Sequence, residues 1–82
     1  MRKDFETPDV YLAAALSLLL QKEPTFRVVH NRTLFIFPIS DEFYQAMSNY
    51  NGGIELDAYQ YAQKIKRLRA EMLIRRSGEV RR

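Results

Sequence analysis

There is no cysteine in these 82 residues, so disulfides and thiolate metal sites are both excluded. Histidine occurs once, at His30, which rules out a multi-histidine metal cage. No apolar run is long enough to span a bilayer. Helix-patterned Val10–Leu20 has 11 residues, against the ~20 that a membrane-spanning helix needs. That run is also a poor secretory signal. Acidic Asp4, Glu6 and Asp9 precede it, and Gln21-Lys22-Glu23 stands where small cleavage-site residues belong. Gly52-Gly53 lacks the glycine spacing and the Lys-Ser/Thr of a phosphate loop. These absences lead us to expect a cytoplasmic protein with no cofactor and no membrane partner.

What the chain does have is apolar surface in excess of its size. One domain of 82 residues has a poor surface-to-volume ratio, and such chains often rely on disulfides, metal or a partner. With the first two excluded, oligomerisation is left. Both Val10–Leu20 and strand-patterned Leu34–Ile39 are apolar on nearly every side. The expectation is self-association, most simply as a homodimer.

The first helix opens at Thr7-Pro8-Asp9, with threonine as the cap, and ends near Lys22 because Pro24 disfavours helical geometry before it. Thr25–His30 and Thr33–Ile39 form a β-hairpin turning at Asn31-Arg32. Pro38 marks the end of its second strand as an edge. A short helix starts at Ser40-Asp41-Glu42, carries Phe43, Ala46, Met47 and Tyr50 on one stripe, and stops at Asn51-Gly52-Gly53. Ile54-Glu55-Leu56 is a brief extended link with the makings of a third strand. Asp57 caps the last helix, whose stripe is Ala58, Tyr61, Ala62, Ile65, Leu68 and Met72.

The fold class is therefore α+β in the order α-β-β-α-α, with one antiparallel hairpin packed on helices. Residues 1–76 form the single domain and 77–82 a basic flexible tail. A two-stranded sheet is marginal alone, and pairing two hairpins across a two-fold axis would extend it to four strands. Leu18, Phe35 and Phe37 are the candidate self-association contacts. Leu34/Ile36 and Phe35/Phe37 are both apolar sets, so the pattern leaves open which faces inward.

Certain of these features also occur together elsewhere. Thr7-x-Asp9-x-x-Leu12-Ala13-Ala14-x-Leu16, the aromatic strand with Phe35 and Phe37, Tyr50-Asn51-Gly52, and Leu56-Asp57 leading to Tyr61-Ala62 and Leu68 carry a resemblance. The chain resembles, over roughly Phe5 to Leu73, a family of short bacterial and phage-associated proteins known as a domain of unknown function. The resemblance implies the architecture and carries no activity or site with it.

Little here suggests catalysis. His30 beside the hairpin turn has Asn31 and Arg32 next to it, neither a nucleophile nor the wall of a pocket. Asp9, Asp41 and Asp57 lie at helix starts, where negative charge is stabilising. No carboxylate spacing suggests a hydrolase pair or an oxygen-ligand metal loop. The expectation is a protein that is not an enzyme.

Charge is the sharper hint. Residues 60–82 carry eight Lys/Arg against two Glu, whereas residues 1–59 carry five against eight Asp/Glu. Lys64, Lys66, Arg67, Arg69, Arg75 and Arg76 are candidate phosphate contacts. They do not form one ridge but ring the apolar stripe, as on an ordinary solvated helix. Nucleic acid and an acidic protein are the partners this charge would suit besides a second copy.

Overall fold

The computed structural model describes residues 3–80, with side chains through Arg76. Its elements are β1 (Asp4–Thr7), α1 (Val10–Leu20), β2 (Thr25–Val29), β3 (Arg32–Pro38), α2 (Asp41–Asn51) and α3 (Ala58–Val80). The α+β class and the order of the hairpin and three helices agree with the sequence reading. The strand β1 is an addition. It is only four residues long, too short for a period to be read, and its pairing with β3 spans some thirty positions.

The sheet is antiparallel with order β1-β3-β2. Both edges of β3 are thus occupied within one chain, so two hairpins cannot form a four-stranded sheet by pairing along β3. The third strand comes from the N-terminus, and the Ile54–Leu56 link is not a strand. The hairpin turn is His30-Asn31, with φ of 52° and 63°, one position earlier than Asn31-Arg32. Two positive φ values are what a type I′ turn requires, and that turn matches the right-handed twist of its strands.

At the start of α1, the Asp9 carboxylate caps the helix. Its Oδ1 accepts from the Tyr11 and Leu12 amides at 3.0 and 3.3 Å. Thr7 instead ends β1, and its Oγ1 accepts from the Asp9 amide at 3.1 Å. The helix stops at Leu20, short of Lys22. Gln21 is left-handed at φ 54°, and the Ser17 hydroxyl donates to the Lys22 carbonyl at 2.7 Å. Ser40 caps α2 by accepting from the Phe43 amide at 3.1 Å, and Asp57 caps α3 by accepting from the Gln60 amide at 2.8 Å. The backbone of α3 is helical through Val80, where a flexible tail was expected from Ser77; residues 81–82 lie outside the described residues.

Within the helical layer α1 lies between α2 and α3. Ala13, Ala14, Ala15 and Leu16 are wholly buried, which explains a helix apolar on every side. Their small side chains let three neighbours approach closely. Phe35 and Phe37 project from β3 into the same core. Phe5 packs on Phe43 with rings tilted by 44° and centroids 5.1 Å apart, and Phe26 meets Phe35 edge-on at 5.6 Å. Leu68 is the fully buried member of the α3 stripe; Ala58 and Ala62 are exposed instead of facing the core. The result is a slab with Cα extents of 41 × 36 × 17 Å, one layer of helices on one layer of sheet.

Candidate interaction surfaces

Alternation along β3 decides what each side of the sheet offers. The register places Phe5, Thr7, Phe26, Val28, Thr33, Phe35 and Phe37 on one face. Helices pack on this face: Phe43 on Phe5, Met72 on Thr33, Arg75 on Phe26. Phe35 and Phe37, at 0 and 1% exposed, belong to the core of one copy. They are not free to form a seam, which corrects the expectation for both residues. Leu18 remains half-buried beside a groove shared with Glu23, Tyr59 and Lys64.

The opposite face of the sheet is an open one. Leu34, Ile36 and Val29 lie at its middle and on its β2 side, and none joins the core cluster. They are half-buried. Acidic Asp4 and Glu6 flank them on β1 and Arg27 on β2, and the exposed Arg32 of β3 stands opposite Val29 on the same face. Across Ile36, the Arg27 guanidinium donates to Glu6 at 2.5 Å.

The basic helix looks different once its partners are visible. Lys64 donates to Glu23 Oε2 at 2.7 Å, and Arg67 donates to the same oxygen. Together they hold the Glu23 carboxyl below its ordinary range, with the Lys64 hydrogen bond the largest cause. Arg69 donates to the Tyr11 hydroxyl at 3.0 Å and lies 5.7 Å from that ring's centroid. Arg75 sits 4.2 Å over the Phe26 ring and donates to Glu71 at 3.2 Å. Four of the six candidate phosphate contacts thus have partners within the chain. Lys66 is exposed and Arg76 half-buried.

Beneath these cations, the Tyr61 hydroxyl donates to the Tyr11 carbonyl at 3.0 Å, tying α3 to α1. Burial is the main cause that raises the Tyr61 phenol above its usual value.

The outward side of α3 carries residues that the core stripe did not predict. Tyr59, Leu73 and Ile74 are 72, 53 and 64% exposed. At about 100° per residue, they fall on the half of the helix away from Leu68, and that angle was the available signal. His30 is exposed at its turn. Among the described residues, no three His, Cys, Asp or Glu converge as a metal-ligand set. Among the same residues, no helix is long and apolar enough to cross a membrane.

Comparison with family profiles, curated proteins and solved structures finds no match to this chain.

Proposed function

We propose that the chain is a small non-catalytic interaction protein that self-associates as a homodimer, with the open sheet face as its seam. One observation carries this reading: among the described residues, Leu34, Ile36 and Val29 form an apolar patch that is no part of the core beneath the helices. A sheet exposing one apolar face is stabilised by packing on a second layer. The Glu6–Arg27 pair lies across Ile36, and the acidic edge and the basic edge that it joins are complementary under a two-fold rotation. A two-fold axis parallel to the strands sets the acidic β1 of one copy over the Arg27 side of the other. The assembled particle has two sheets inside and helices on both outer sides. A cysteine-free chain of this kind suits the cytoplasm.

Nucleic-acid binding through α3, the alternative from sequence, has less support. Lys64, Arg67, Arg69 and Arg75 are engaged within the chain, and apolar side chains stand between the remaining charges.

Light scattering and sedimentation test the proposal. A dimer at micromolar concentration is expected, and Ile36→Glu should convert it to a folded monomer by placing a charge at the seam. A wild-type chain that stays monomeric at hundreds of micromolar would remove the reading.

A further inference from the structure

We infer that the outer face of α3 is a docking surface for an acidic amphipathic helix of another protein. The argument starts from spacing. Tyr59, Lys66 and Leu73 recur every seventh position, which returns to nearly the same side of a helix. Ala62 and Ala70 stand four residues on either side of Lys66, and both are exposed. Short side chains between longer ones leave grooves along the helix. One is lined by Ala62, Ile65, Lys66, Arg69, Ala70 and Leu73. A second runs on the other side of Lys66 and Ala70, toward Leu18 and Tyr59. From Tyr59 to Leu73 the strip is about 21 Å long, the length of about four turns of a partner helix. Ridges set into such grooves are how helices pack.

Charge selects the occupant. Between Ala58 and Arg76 the only acidic residue is Glu71, which is bonded to Arg75 on the flank beside the core. The outer face therefore presents Lys66 with no carboxylate of its own helix beside it, flanked by Arg69, which is held on the neutral Tyr11 hydroxyl, and by Arg67 at the rim, bonded to Glu23. A second copy docked antiparallel about an axis at Lys66 would set Lys66 against Lys66, and this like-charge contact disfavours that arrangement. Nucleic acid would satisfy the cations but leave Leu73 and Ile74 without apolar partners. A helix with leucine-like residues on one side and glutamates beside them satisfies both. The two proposed surfaces share no residue, one lying on α3 and the other on the sheet.

The probe is a labelled peptide of about 18 residues, with leucines at i, i+4, i+7 and i+11 and flanking glutamates, read by fluorescence anisotropy. Its counterpart carries lysine at each glutamate. The acidic peptide is expected to saturate the protein in the micromolar range, and the lysine peptide to bind at least ~10-fold more weakly. Lys66→Glu and Leu73→Asp, both at exposed positions, should each weaken the acidic peptide by roughly 10-fold with circular dichroism unchanged. Lys66→Glu should also narrow the gap between the two peptides. Binding should survive in the Ile36→Glu monomer, which separates this result from the fate of the dimer. Equal binding of both peptides, no saturation at hundreds of micromolar, or indifference to Leu73→Asp would overturn the inference. So would a single-stranded DNA oligomer that binds more tightly than the acidic peptide and responds to Lys66→Glu alone.

Discussion

The Thr33 hydroxyl, buried in β3, donates to the Met72 carbonyl of α3 at 3.2 Å. The bond joins residues 39 positions apart and fixes how the long helix lies across the hairpin. Neither partner is conspicuous in the sequence. A threonine in a strand reads as a β-branched residue, and a helix carbonyl has no sequence signature at all. Thr33→Val keeps the shape and loses the donor. It should cost about 1 kcal/mol, seen as a lower urea midpoint with unchanged slope.

Gln21 occupies a left-handed position where a side chain is strained. Glycine there removes the clash of Cβ with the following carbonyl, although it loses more entropy on folding. The balance favours Gln21→Gly by about 0.5–1 kcal/mol. Thermal unfolding at fixed protein concentration checks it; a lower melting temperature would contradict the cap geometry.

Glu23 receives both Lys64 and Arg67, and its carboxyl is held below the ordinary value of 4.5. The unfolded chain therefore binds a proton at Glu23 more readily than the folded one. The resulting stability is present above the ordinary carboxylate range and is lost as pH falls through the folded value. The site is largely exposed, so the effect is small. Glu23→Gln should be slightly less stable than wild type at pH 7, and the two should converge in acid. A difference that grows toward low pH would refute the assignment.

Tyr61 shows the opposite sign. Its phenol titrates above 10.0 in the folded protein, because burial opposes the charged form. The neutral form is favoured in the folded state, so the associated stability is present below pH 10 and fades as pH rises through the raised value. Tyr61→Phe removes the hydrogen bond to the Tyr11 carbonyl and should cost about 1 kcal/mol at neutral pH. It should also flatten the loss of stability above pH 10.

Phe35 and Ile36 are neighbours on β3 that face opposite ways. Phe35→Ala opens a cavity in the core and should cost about 3–5 kcal/mol at any protein concentration. Ile36→Ala should cost less in the monomer, and its effect should grow with concentration if the open face is the seam. Denaturation at two concentrations a hundredfold apart distinguishes them.

Helices and hairpin were legible in the sequence because their signals are local. Ser40 and Asp57 as caps, Gly52-Gly53 as a stop, and the Tyr61-Ile65-Leu68-Met72 stripe each act within a few residues of themselves. The α+β class follows from those elements alone, and so does the exclusion of disulfides and thiolate metal sites. Only the tertiary structure decided which side of β3 is inside, since both of its sides are apolar and alternation has no contrast to show. It also supplied β1, whose four residues gain their identity from hydrogen bonds to a strand far along the chain. The same holds for the basic helix. Its charges could be counted from the sequence, but Glu23, Tyr11 and Phe26 reach them only through folding, because pairing across such separations depends on where the backbone brings each side chain.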